Sequence, residues 1–195
     1  MGARETNLPL VSEGGAVFLD RDGVICKQEA FVNRPEDLVL IEGTGEAIVR
    51  LNRAHIPVVV ITNQGGIAIG HLTEETLANI HARMEFLLAE AGASVDAIYY
   101  CPHHPQATVT DYLLDCPCRK PGIGMLEKAR DELGVDLHTS VLVGDATTDI
   151  LAGVRAGCRT ILVKTGLGGK DGKAIAEPNF TVLDLSAAAS LILAV

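Results

Sequence analysis

The stretch VFLDRDGVI, residues 17–25, sets the reading of the whole chain. Three apolar residues run into Asp20-Arg21-Asp22, then a glycine, then apolar residues again. A short apolar run of this kind reads as a buried strand, and the carboxylates fall at its end. In extended geometry residues two apart point to the same side, so Asp20 and Asp22 can face one crevice while Arg21 points the other way and has no part in it. Carboxylates this close repel unless a shared proton or a cation relieves them. Magnesium does so, and it also attracts phosphate oxygens. The plain alternative for a lone aspartate at a strand end is a helix N-cap.

Moving outward, five more short apolar runs have the length of strands: IPVVVIT, VDAIYYC, SVLVG, RTILVKT and NFTVL. Helical spacing lies between them, in residues 45–55, 73–91, 123–133 and 147–156. The second of these opens on Thr73 with Thr76 three residues on, a cap-like start, and then repeats Leu77, Ile80, Met84, Leu87 and Leu88. Apolar strands alternating with helices predict an α/β, three-layer, Rossmann-like fold with a mainly parallel central sheet. Ligands of such sheets bind beyond the C-terminal ends of the strands. The informative polar residues stand there: Asp20 and Asp22, then Thr62-Asn63, then Gly144-Asp145. Asp145 repeats the first pattern, and Asp20 with Asp145 would suffice to hold magnesium. Asp149, four residues on, reads as a first-turn helix carboxylate or a supporting residue.

Thr62 and Asn63 precede two glycines, Gly65 and Gly66, and a hydroxyl with glycine-turn N–H groups can cradle a phosphate; alone, the segment is an ordinary turn. Arg119 and Lys120 precede a helix, where one can grip an oxyanion and the other can neutralise charge. The formal charge of -9, with no basic run, argues against a nucleic-acid binder. No apolar run is long enough to span a bilayer, and residues 1–15 lack a signal-peptide core. Gly2 and Thr6 meet a loose myristoylation pattern, and a frayed N-terminal arm over 1–13 is the simpler reading. A cytoplasmic enzyme is expected, with its five cysteines reduced and the clustered ones pointing to metal.

That cluster lies in residues 101–118, which hold Cys101, His103, His104, Cys116 and Cys118. Three cysteines and one histidine suit tetrahedral zinc, and with no open coordination position the zinc would be structural. Free thiols in a loop are the alternative, and spacing does not choose between His103 and His104. Cys158 reads as core, and Cys26 falls near the site.

Four elements now stand in one order: DRDG, TN, RKP and GDATTD. This order resembles the haloacid dehalogenase superfamily of aspartate-nucleophile phosphatases, over residues 17–168. The stretches FLDRDGVI, VVVITNQGGIAIG, IYYCPHHPQ, CRKPG and LVGDATTDILAG are similar to the branch that holds the heptose 1,7-bisphosphate and histidinol-phosphate phosphatases. The resemblance implies Asp20 as nucleophile and Asp22 as general acid/base. It implies magnesium held by Asp20, Asp145 and the Asp22 main-chain carbonyl. Thr62, the Asn63 N–H and Lys120 would hold the phosphoryl oxygens. It selects Cys101, His103, Cys116 and Cys118 for zinc, and it gives Arg119 the part of the substrate that is not hydrolysed.

Many relatives carry an inserted cap domain. Here residues 24–43 are too few for one, and the second insertion point holds the cysteine loop, so a minimal cap and one domain over 14–195 are expected. The implied substrate is a small phosphorylated metabolite, a sugar bisphosphate, cleaved by a monomer without nucleic-acid or membrane partners. Two departures bear on it. Gln28, Glu29, Ala30 and Phe31, within CKQEAFV, replace residues that would touch the sugar, and Ala146 stands where lysine often follows the fourth motif's aspartate. Three readings follow: a heptose 1,7-bisphosphate 7-phosphatase, a phosphatase of histidinol phosphate or another small monoester, and a catalytically silent sugar-phosphate-binding module.

Overall fold

The apolar run that opens the motif becomes the central strand, β1 (Val17–Leu19), buried along its length. It pairs in parallel with β2 (Val58–Asn63) on one side and β4 (Val141–Gly144) on the other. A computed structural model describes residues 10–28 and 32–194. With β3 (Ala97–Cys101), β5 (Arg159–Val163) and β6 (Phe180–Val182), the strands form one sheet in the order β3-β2-β1-β4-β5-β6. Every pairing is parallel.

Strand alternation divides the core into two. Val17, Leu19, Val58 and Val60 face α1 (Thr44–Arg53), α2 (Glu74–Glu90) and α5 (Leu185–Ile192), packing on Ile48, Leu51, Ile80, Met84 and Ala188. Phe18, Val59, Ile61 and Leu142 face α3 (Gly124–Leu133) and α4 (Thr147–Ala156), packing on Met125, Leu126 and Ala152. Three layers result, as the sequence predicts. Thr73 caps α2 by accepting from the Thr76 N–H at 3.1 Å. The helix α5 was not expected. Its buried face, Leu185, Ala188, Ala189 and Ile192, does recur at helical spacing, but alanines make half of that stripe and leave it faint in the sequence; Asp184 caps the helix through the Ala187 N–H at 2.8 Å.

The chain builds β1, β2 and β3 in one direction and then crosses back to lay β4 on the other side of β1. Connections diverge from that point, which opens a crevice at the C-terminal ends of β1 and β4. Between β1 and α1 the described residues hold a Cys26–Leu40 bridge and a 3-10 turn at Pro35–Asp37, in keeping with a minimal cap.

Candidate active site

Asp20 leaves β1 and Asp145 leaves β4, so the pairing of these strands brings together carboxylates far apart in sequence. Asp149 joins them from the first turn of α4, and one oxygen of each lies within 4.8 Å of the others. All three are buried. Lys120 Nζ donates to Asp20 Oδ1 (2.8 Å) and to the Ile61 carbonyl (2.9 Å), and it pairs with Asp149 Oδ1 at 2.7 Å. Burial and the neighbouring carboxylates push Asp20 up to about 8, against the opposing pull of Lys120. Burial likewise pushes Asp145 up to about 7, against the pull of the Leu167 N–H. A set of hard oxygen donors crowded against their own repulsion is chemistry that a divalent cation fits.

Asp149 is more than a helix-end carboxylate. Its Oδ2 accepts from the Ala146 N–H at 3.0 Å while Oδ1 grips Lys120. Two glycines wall the site. Gly23 (φ +86°) and Gly166 (φ +59°) sit so close to Asp145 Oδ2 that a Cβ on either would overlap it. The glycine of the first motif therefore makes room for the aspartate of the fourth.

Asp22 stands apart from this cluster, with its side chain 21% exposed. Arg21 does not point away from it. The strand ends at Leu19 and the chain bends at Arg21, so alternation no longer governs where that side chain goes. Its Nε and Nη2 donate to Asp22 Oδ1 and Oδ2 at 3.1 and 2.8 Å. Gln64 Nε2 adds a bond to Oδ2 (2.9 Å), and the Cys26 thiol adds one to Oδ1 (3.3 Å). Burial works to raise the Asp22 carboxyl, but Arg21 and these donors outweigh it and hold it below its ordinary range. Burial and Asp22 together push the Cys26 thiol well up, so it is an inert donor and not a nucleophile.

Asp20, Asp22, Lys120, Asp145 and Asp149 line a cleft of about 400 Å³ together with Thr62, Asn63, Gln28 and Arg119. Thr62 Oγ1 accepts from Gln64 Nε2 at 2.8 Å, which leaves its hydroxyl proton to be donated elsewhere. The Asn63 side chain clamps the Lys120 peptide, accepting from its N–H (2.9 Å) and donating to its carbonyl (3.0 Å), so that side chain positions Lys120. Arg119 Nη1 donates to the His103 carbonyl at 3.1 Å. Glu29, Ala30 and Phe31 lie outside the described residues. Gln64, Gln106 and Lys173, which the sequence does not single out, also line the cleft, as does His104, which the sequence offers only as a zinc candidate. Gln64 directly follows the TN pair, and that adjacency was its available signal.

The cysteine loop converges on one point. Cys118 Sγ lies 2.9 Å from Cys101 Sγ and 2.6 Å from Cys116 Sγ, and His103 Nδ1 lies 3.8 Å from both Cys101 and Cys118. The four ligand atoms fall within 4.8 Å of one another, a donor set that fits zinc. His104 is turned elsewhere, its Nδ1 accepting from the Gln106 N–H at 3.1 Å. The hydrogen bond from Cys118, helped by His103, pulls the Cys101 thiol down to about 6 against burial, toward the thiolate a metal needs.

Comparison with known proteins agrees with this geometry. A HAD-hydrolase-like family model matches residues 117–188. The D-glycero-beta-D-manno-heptose-1,7-bisphosphate 7-phosphatase of Vibrio cholerae is 45% identical over 77% of this chain and 82% of its own. The enzyme of the same name from Escherichia coli K12 is 42% identical over 77% and 80%. The crystal structure of D,D-heptose 1,7-bisphosphate phosphatase from B. bronchiseptica, complexed with magnesium and phosphate, superposes with a TM-score of 0.82 at 38% identity, covering 92% of this chain and 98% of that one. Fold, motif order and relatives at this identity agree: the chain belongs to the HAD-like phosphatases, in the family of these heptose-bisphosphate enzymes.

Proposed function

We propose that this chain removes the 7-phosphate of D-glycero-D-manno-heptose 1,7-bisphosphate through an aspartyl-phosphate on Asp20. The convergence of Asp20, Asp145 and Lys120 at the β1/β4 switch point carries the proposal. Asp20 attacks phosphorus, the Asp20–phosphorus bond forms and the bond to the sugar oxygen breaks. Asp22, ionised in the free cleft, takes up a proton as the phosphate dianion enters beside it, gives that proton to the sugar oxygen, and then takes one from the water that cleaves the intermediate. Lys120 neutralises charge beside the nucleophile, Thr62 and the Asn63 N–H hold phosphoryl oxygens, and Asn63 keeps Lys120 in place. Magnesium, held by Asp20, Asp145 and the Asp22 carbonyl, would lower the electrostatic barrier between a phosphate dianion and a ring of carboxylates.

Arg119 and Gln28, with Phe31, would meet the remainder of the substrate. Cys101, His103, Cys116 and Cys118 would hold a structural zinc that steadies Arg119 through the His103 carbonyl. Residues 14–195 would act as one catalytic domain, a cytoplasmic monomer in the supply of a surface sugar. No described helix is long and apolar enough to cross a membrane.

One observation favours the second reading, histidinol phosphate or another small monoester: Gln28 and Ala146, the two departures, both line the cleft. A silent binding module is disfavoured by the retention of Asp20, Asp22, Lys120 and Asp145 together. The test is a phosphatase panel of both heptose 1,7-bisphosphate anomers, histidinol phosphate and fructose 1,6-bisphosphate. It is run on the wild type and on Asp20→Asn, with circular dichroism to check folding. Turnover retained by Asp20→Asn sinks the mechanism, and a preference for histidinol phosphate sinks the substrate.

A further inference from the structure

Arg21 heads the fully buried side chains of the described residues by volume. A buried arginine needs its charge and donors met. Two donors grip Asp22 as a fork, and Nη1 lies 3.3 Å from His81 Nε2. A guanidinium only donates, so His81 must present the Nε2 lone pair and carry its proton on Nδ1. Burial and the adjacent Arg21 charge both favour that neutral ring, whose pKa falls to about 4.

His81 projects from the apolar face of α2, among Leu77, Ile80, Met84 and Leu88. Its ring meets Tyr100 edge-on, centroids 5.9 Å apart at 62°. The Tyr100 hydroxyl donates to Glu74 Oε2 at 2.8 Å, and Tyr112, from the cysteine loop, donates to Glu74 Oε1 at 3.0 Å. The ring is thus held by packed elements on more than one side.

We infer that His81 and Arg21 are positioning residues for Asp22. His81 fixes the guanidinium, and the guanidinium holds the Asp22 carboxylate at the cleft and outside the Asp20–Asp145–Asp149 cluster. The inference rests on the reading of Asp22 as acid/base. A loose carboxylate two residues from Asp20 would be drawn to any cation bound there. Two parallel charge-assisted bonds oppose that pull and set the plane of the carboxylate. Gln64 completes the arrangement, because its one amide nitrogen donates to both Asp22 Oδ2 and Thr62 Oγ1. The acid/base group is thereby indexed to the hydroxyl assigned to the phosphate.

A leaving-group comparison on the magnesium-loaded enzyme separates positioning from mere stability. The sugar oxygen of heptose 1,7-bisphosphate would depart as an alkoxide without the acid and so needs it; p-nitrophenyl phosphate releases a stable phenolate and does not. Since kcat/KM covers steps only through leaving-group departure, the later hydrolysis does not enter. His81→Leu should lower kcat/KM for the alkyl ester by about a hundredfold while that for the aryl ester changes by less than about threefold. His81→Gln, which keeps an acceptor, should recover most of the loss. Arg21→Lys, which keeps charge but not the fork, should behave like His81→Leu and decides the matter if that variant does not fold. Equal losses on both esters, an unchanged alkyl ester, or a Gln variant as poor as Leu would overturn the inference. Failure of the function reading looks different: the wild type would leave the alkyl esters of the panel intact, or Asp20→Asn would turn them over.

Discussion

Lys120→Met keeps most of the side-chain volume and removes the ammonium. That ammonium stands 2.8 Å from Asp20 and 2.7 Å from Asp149, with all three residues buried. At an effective dielectric constant of about 20 each contact carries about 6 kcal/mol of gross Coulomb attraction. Desolvation cancels most of it, but removing one partner leaves the other charges buried and unpaired, at a cost of about 3–5 kcal/mol. For a chain of this size that is a fall in Tm of about 6–20 °C. Urea unfolding in EDTA at pH 9, where Asp20 is ionised in the wild type, measures it directly. The penalty should be smaller at pH 5, where Asp20, already pushed up to about 8, holds a proton. Adding Asp149→Asn removes one orphaned charge while an amide oxygen can still accept from Ala146, so the double variant should regain about 1–3 kcal/mol over Lys120→Met alone. A Lys120→Met variant within about 1 kcal/mol of wild type would refute the reasoning, because that is how an exposed pair behaves. A double variant no better than the single would refute it too.

Two further predictions concern the metals. Asp20 and Asp145 titrate near 8 and 7, so between pH 6.5 and 8.5 the metal-free folded chain keeps protons that the unfolded chain has released. The stabilisation is full below the unfolded carboxylate pKa and disappears as pH rises through those values. His81, lowered to about 4, acts the opposite way only below this window. Cys101, pulled down to about 6, works the other way across the same range with or without magnesium, so the decisive quantity is a difference: the gap between Tm with magnesium and Tm in magnesium-free buffer should widen from about pH 6.5 to about pH 8, and a gap that narrows would contradict the argument. At the cysteine loop, metal analysis should find about one zinc per chain. Cys118→Ser, at the sulfur that contacts both other cysteines, should lose the zinc and raise KM more than it lowers kcat, through Arg119. A zinc-free wild type with an ordered loop would refute this.

The strands were legible because a parallel strand buried on both faces leaves an unbroken apolar run, as VFL and VVVIT do. The site carboxylates were legible because they follow those runs directly. What escaped had no periodic signature. Asp149 reads as a helix-end acid or a supporting residue, and what the sequence does not show is that Lys120 is the group it supports. His81 sits at a core-facing position of α2, where the only available signal is a histidine in phase with Leu77, Met84 and Leu88. The choice of His103 over His104 depends on which ring the turn aims inward, and spacing carries no information about that.

The largest misreading, that Arg21 faces away, came from extending strand alternation one step too far. Once the chain leaves β1 at Leu19 it bends, and the four residues of DRDG go to four different places. Asp20 enters the carboxylate cluster, Arg21 reaches beneath α2 to His81, Asp22 faces the cleft, and Gly23 makes room for Asp145. No period of two or of 3.6 generates such a pattern. It requires a bend whose side chains are each claimed by a different packed element. The motif is therefore contiguous in sequence because one bend at the switch point can serve the sheet, α2, the cleft and the loop after β5 at once. For the same reason its arginine has a structural partner on α2 that no reading of the motif alone would supply.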